Sequence, residues 1–208
     1  VDEDWYAFNA PSYSSWEARV DGTTGNVALG VTAGFVDFAG AAIAGARNNV
    51  LTATNGCDGC AVSARLENST AAVVEEFVRV GDPQCGVTCD TNDQYTFRYF
   101  DTTYSAPRFN NSGGQLTVLI IQNLADEAVD GTTHLMNSAG ARIGGAVFAL
   151  GAKASLVVNT SGMPGGAGVA GVMIITHNGA YGSLSGKAVA LEPATGFSFD
   201  TPLVARPN

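Results

Sequence analysis

Short apolar runs rich in Val, Ile, Thr and Phe, cut at regular intervals by Gly, Asn, Asp and Ser, constrain this chain more than any other feature. Runs of that length are strands, and the residues between them are those that accept positive φ or hydrogen-bond their own backbone in a turn. In the second half the runs are 115–122, 132–136, 141–150, 154–158, 169–176, 183–191 and 197–204. In the first half they are 26–38, 49–54, 61–66, 71–80 and 94–100, less regularly spaced. The expected fold is all-β: an antiparallel β-sandwich, Ig-like or jelly-roll-like, with little helix. Composition agrees, since Gly reaches 26 of 208 residues and the only lysines are Lys153 and Lys187, too few long polar side chains to clothe helices. One helix competes over 69–79, with Ser69 as its N-cap. The β-branched content there favours a hairpin strand.

No exact internal repeat is visible. A boundary at 110–114, Asn-Asn-Ser-Gly-Gly, divides the chain into a β-rich half with the cysteines (1–110) and a second sandwich (111–208). One continuous sandwich over 1–208 is the alternative.

Residues 116–192 run strand, Asn123, polar hairpin, then Asn137-Ser-Ala-Gly-Ala-Arg142. Next come a strand, Leu150-Gly-Ala, another strand, Asn159-Thr-Ser-Gly-Met-Pro-Gly165, and paired strands to the end. In this rhythm the stretch 116–208 resembles the Ig-like β-sandwich modules of secreted bacterial surface proteins. The resemblance implies surface display, adhesion or assembly, and carries no catalytic residues.

The formal net charge of −9 repels phosphate backbones and anionic headgroups, so neither nucleic acid nor membrane insertion is expected. No apolar stretch approaches the ~20 residues that cross a bilayer as a helix. The chain opens at Val1 without Met, followed by Asp2-Glu-Asp4, as a mature end left by signal-peptide removal would. The expected location is extracellular or at the cell surface. Cys57-Asp-Gly-Cys60 and Cys85-Gly-Val-Thr-Cys89 then read as two disulfides, with zinc and redox chemistry as the weaker readings. Local pairing is favoured, because Asp58-Gly59 makes a tight turn.

Catalytic chemistry is poorly supplied, and no enzyme and no cofactor are expected. His134 and His177 are isolated and read as turn histidines. Gly182-Ser-Leu-Ser-Gly186 lacks the central serine of a nucleophile elbow. Gly166-Ala-Gly-Val-Ala-Gly171 matches a dinucleotide fingerprint but runs into a β-branched segment rather than a helix, which leaves a glycine loop. Glu75 and Glu76 are neighbours on a strand and point to opposite faces, so they form no glycosidase pair. Acidic groups at 2–4, 90–93 and 126–130 offer oxygen ligands that calcium would accept, although solvated turns are the commoner outcome.

Aromatic residues cluster. Of eighteen, Trp5, Tyr6, Phe8, Tyr13 and Trp16 fall in the first sixteen positions, and Tyr95, Phe97 and Tyr99 alternate along one strand. These N-terminal rings read as core, as a subunit-docking segment or as a stacking platform for sugar. Asn68, Asn110 and Asn159 each begin an Asn-X-Ser/Thr sequon, a candidate glycosylation site on an exported chain. The expected function is a non-enzymatic structural or assembly module, a subunit of a surface filament or layer, whose partners are its own copies or other surface proteins. A carbohydrate-binding or adhesive module, calcium-stabilised, is the alternative, with a glycan as partner.

Overall fold

The computed structural model describes residues 2–23, 31–51, 62–82 and 93–206. All four cysteines lie outside the described residues, and with them the disulfide expectation. Of the described residues 62% are strand and 2% helix, arranged in four antiparallel sheets, an all-β fold. Among the described residues no helix is long and apolar enough to cross a membrane.

Two compact units divide the chain, Val1–Phe100 and Asp101–Asn208. The first holds β1 (Asp2–Ala10), β2 (Ser14–Asp21), β3 (Thr32–Val36), β4 (Arg47–Leu51), β5 (Val62–Asn68), β6 (Val74–Asp82) and β7 (Thr96–Asp101). Its sheets run β1-β6-β3 and β4-β5-β2-β7. The second holds β8 (Tyr104–Asn110), β9 (Leu116–Asn123), β10 (Val129–Met136), β11 (Arg142–Leu150), β12 (Ser155–Asn159), β13 (Ala170–His177), β14 (Leu184–Glu192), β15 (Phe197–Pro202) and β16 (Val204–Ala205). Its sheets run β11-β10-β13-β8-β16 and β12-β9-β14-β15. The segment 110–114 joins β8 to β9 inside this unit.

Each unit closes its two sheets over one core. In β9 burial alternates without exception, Thr117, Leu119, Ile121 and Asn123 inward, and Ala106, Phe109, Leu135, Met173 and Ile175 meet Leu119 and Ile121 from the opposite sheet. Phe35, Val78 and Val80 face Ala18, Val20, Ala64 and Leu66 in the first unit in the same way.

The units repeat one design. Matching β1–β7 to β8–β14 in chain order maps β1-β6-β3 onto β8-β13-β10, and β5-β2-β7 onto β12-β9-β14. Thr32–Ala46 and Thr132–Ala146 share Thr, Ala, Gly, Ala, Ile, Gly and Ala at positions one hundred apart: 32, 39, 40, 41, 43, 45 and 46 against 132, 139, 140, 141, 143, 145 and 146. The turns are built from the same bonds. Asp37 Oδ1 accepts from the amides of Ala39 and Ala41 at 2.9 Å each, and Asn137 Oδ1 from those of Ala139 and Ala141 at 3.0 and 2.9 Å. Gly40 (φ 83°) and Gly140 (φ 79°) supply the left-handed residue that each turn requires. One strand breaks the match. β4 pairs with β5, whereas its counterpart β11 pairs with β10, so β12 has a single neighbour among the described residues.

At 69–79 the favoured strand holds against the competing helix, β6 starting at Val74 after a turn that Asn68 organises. Several other sequence expectations change. The run 26–38 ends at Val36, and Phe38 sits in the turn, 87% exposed. The run 197–204 breaks at Leu203, with β15 pairing to β14 and β16 crossing to β8. β1, β2 and β8 were not expected, since their aromatic and polar residues hide the alternation. His134 and His177 lie in strands β10 and β13 rather than in turns, both fully buried.

Asn123 shows how turns are locked. Fully buried, it donates from Nδ2 to the carbonyls of Glu127 (2.7 Å), Gly151 (2.9 Å) and Leu150 (3.3 Å), while Oδ1 accepts from Ala125 N at 2.9 Å. Asn123→Ala strands these partners, and urea denaturation should show a loss of about 2–3 kcal/mol.

Candidate functional site

β1 and β7 are edge strands of the two sheets of the first unit, and their rings meet across the opening between the sheets. Strand alternation puts Tyr6 and Phe8 on one side of β1, and Tyr95, Phe97 and Tyr99 on one side of the β7 segment. Tyr6 stacks on Phe97 with centroids 4.1 Å apart and planes 7° from parallel. Phe8 sets its edge against Trp16 (4.9 Å), Phe35 (5.7 Å) and Tyr99 (5.8 Å). Such contacts contribute about 0.5–1.5 kcal/mol per pair beyond area burial.

The polar end of this seam is a chain of hydroxyls. Tyr6 Oη and Tyr95 Oη lie 2.7 Å apart, and Tyr95 Oη donates to Asp4 Oδ2. Burial, then the bonds to Asp4 and Tyr6, hold the Tyr95 phenol protonated well above its ordinary range. Beside the stack runs an apolar slot of about 120 Å³ lined by Tyr6, Ala7, Phe8, Val78, Phe97 and Tyr99, with Tyr99 55% exposed at its mouth. Pockets that enclose a drug-sized ligand hold about 300–1,000 Å³, so this slot admits the edge of a single ring or a short side chain.

Three of the five N-terminal aromatics, Tyr6, Phe8 and Trp16, therefore join one cluster. Trp5 lies on the other face of β1, 41% exposed, edge-on to Phe77 with the Arg79 guanidinium 5.9 Å above it. Tyr13 turns the chain between β1 and β2 at φ 52°, its amide donating to Thr70 O at 3.1 Å. Phe97, Tyr99, Tyr95 and Asp4 complete the seam. Their alternation was legible, but their partners across the opening were not.

The three sequons are turns of one kind. Asn68, Asn110 and Asn159 each accept at Oδ1 from the amide and the hydroxyl of the residue two positions on, Thr70, Ser112 and Ser161. The hydroxyl that defines a sequon here closes an Asx turn. Asn68, buried, commits Nδ2 to the carbonyls of Ala10, Pro11 and Ala72. Asn110 Nδ2 donates to Gln115 Oε1 at 2.6 Å, and Asn159 is the exposed member of the set.

Other chemically capable side chains are absorbed by the framework. His134 Nδ1 accepts from Arg142 Nε at 3.2 Å, and its Nε2 lies 3.1 Å from Thr176 Oγ1, which fits a neutral ring. Burial first, then the Arg142 charge, lowers its pKa to about 4. Glu75 is exposed and Glu76 buried, on opposite faces of β6, and burial pushes the Glu76 carboxyl up to about 7. Among the described residues no three His, Cys, Asp or Glu side chains gather as metal ligands, and Asp126 pairs with Lys153 at 3.1 Å. Gly166 to Val169 form a loop that enters β13 at Ala170, as expected of a glycine loop feeding a strand. No family model matches the chain, and no characterised protein matches it either.

Proposed function

We propose that the chain is a non-enzymatic structural module of an extracellular surface, working in a filament or layer by association with copies of itself or with other surface proteins. The observation that carries this reading is the placing of large apolar side chains at turns and edges. Phe38 is 87% exposed, Val147 82%, Phe197 75% and Val157 66%. On an edge strand such a side chain lies beside backbone groups that another chain can pair with. The buried polar groups Asn68, Asn123 and His134 meanwhile serve the framework. A surface with only two lysines suits close packing of many copies, since fewer long side chains lose freedom on contact.

A second reading, carbohydrate binding, is favoured by the seam, where ring faces lie beside two phenol hydroxyls and a carboxylate. One pair of measurements separates the two. Sedimentation and negative-stain microscopy of the full chain should show assemblies, and Tyr99→Ser should leave them intact. Monomers that are retained on a glycan array, with retention lost in Tyr99→Ser, would replace the structural reading with the carbohydrate one.

A further inference from the structure

The exposed edge of β12 is the place where the two units differ most. In the first unit β5 is flanked by β2 and by β4, through Arg47↔Arg65, Val50↔Ser63 and Leu51↔Val62. In the second unit β11 joins β10 instead, and β12 stands at the sheet edge with β9 as its one neighbour among the described residues. The same framework thus fills this position with a strand once and leaves it open once.

Backbone geometry says which groups face outward. Asn123 N donates to Ala154 O at 2.8 Å, and the register continues Ser155↔Gln122, Leu156↔Ile121, Val157↔Ile120. Antiparallel ladders alternate bonded and non-bonded pairs, so Leu156 and Val158 exchange bonds with β9. Ser155 and Val157 consequently turn their N–H and C=O groups to the open side, and Asn159 its N–H. All three are exposed. The edge carries none of the usual protections, having no charge, no proline and no bulge over Ser-Leu-Val-Val-Asn.

We propose that β12 pairs with β12 of a second copy, antiparallel across a two-fold axis through Val157, joining two four-stranded sheets into one of eight. This rests on the assembly reading above and names its contact. The polarity of the strand is self-complementary. A register centred on Val157 sets Ser155 opposite Asn159 and Leu156 opposite Val158, polar against polar and aliphatic against aliphatic. Bonded pairs form at Val157 with its own copy and from Asn159 N–H to Ser155 C=O in both directions, four backbone hydrogen bonds in all, since the Asn159 carbonyl opens the 3-10 turn Thr160–Gly162. On the inner face Leu156 and Val158 of the second copy cover an apolar groove of about 170 Å³ between β11 and β12, lined among others by Ala146, Phe148, Leu156, Val158 and Met163. The charge nearest the strand is Lys153, two residues before Ser155, and its pairing with Asp126 at 3.1 Å leaves that end neutral in sum.

Val157→Pro tests this cleanly in the full chain. The amide it removes points away from β9, so the fold keeps its ladder, and proline is accommodated where a strand's N–H faces solvent. Sedimentation equilibrium at about 1–100 µM should show a wild-type monomer–dimer equilibrium and an association weaker by on the order of a hundredfold in Val157→Pro. Val157→Lys should do the same, with the melting temperature of both variants near that of the wild type. Wild-type association that neither variant weakens would overturn the β12 pairing and leave the assembly reading standing. A wild type that stays monomeric throughout would overturn both.

Discussion

Arg65→Met is expected to destabilise the first unit by about 3–5 kcal/mol. Arg65 on β5 and Glu17 on β2 are direct cross-strand partners, with Arg65 Nε 3.5 Å from Glu17 Oε1 and both side chains 3% exposed. Two charges held out of water are tolerated because each offsets the desolvation of the other. Removing the guanidinium leaves a carboxylate buried without its counter-charge, which costs far more than the pair itself contributes. For a unit of this size a loss of 1 kcal/mol lowers the melting temperature by about 4–8 °C, so the first unit should melt more than 10 °C early. The double variant Glu17→Leu/Arg65→Met should recover most of the loss, because no uncompensated charge remains. A single-variant loss below about 1 kcal/mol would place the pair among the weak surface bridges and contradict its burial.

The two units should respond to pH in opposite directions. Glu76 has its pKa raised from 4.5 to about 7 by burial. Its folded-state value exceeds its unfolded one, so its contribution is complete below pH 4.5 and is lost as pH rises through 7. His134 has its pKa lowered from 6.5 to about 4, by burial and then by Arg142. Its contribution is complete above pH 6.5 and is lost as pH falls through 4. Each shift corresponds to roughly 3 kcal/mol across its window, with a slope of at most about 1.4 kcal/mol per pH unit. Moving from pH 7.5 to pH 4 should therefore stabilise the first unit through Glu76 and destabilise the second through His134. Other carboxylates titrate in the same range, so the decisive quantity is the difference from a variant. The first unit of Glu76→Gln should gain on the wild type as pH rises from 4.5 to 7, and calorimetry at several pH values reads this directly. A difference independent of pH would mean that the Glu76 carboxyl titrates alike in the folded and unfolded chain.

Much of the fold was legible because its signals are local. The run 115–122 is a short β-branched stretch bounded by turn residues, and the structure places β9, Leu116–Asn123, there. The turn at Asn137 was legible for the same reason, since its bonds reach only two and four residues along the chain. The sequons were legible as motifs but not as turns, because nothing in Asn-X-Ser/Thr says that the hydroxyl will be bonded back to its own asparagine. β1 and β8 escaped because polar residues interrupt the apolar pattern, Asp4 at the end of the seam and Asn9 and Arg108 at exposed positions.

The duplication is the instructive case. Its trace survives at positions 32–46 and 132–146, yet Asp37 faces Asn137 and Phe38 faces Ser138, so identity alone is faint. The equivalence becomes plain only when the turn bonds and the strand order are compared. The seam has a similar history. The rings of Tyr6 and Phe97 are ninety-one positions apart in the chain, and only the meeting of two sheet edges brings them to 4.1 Å.

By itself the sequence determined where most of the described strands and turns fall, and hence that the fold is all-β. Period-two burial and Asx turns depend on neighbours a few residues away. Only the tertiary structure decided which strands pair, as β4 and β11 show. They follow near-identical turns and yet join opposite sheets, because an extended strand offers the same backbone groups to either neighbour. The choice between them is made by side chains brought in from distant parts of the chain, and it is this choice that leaves β12 with an open edge.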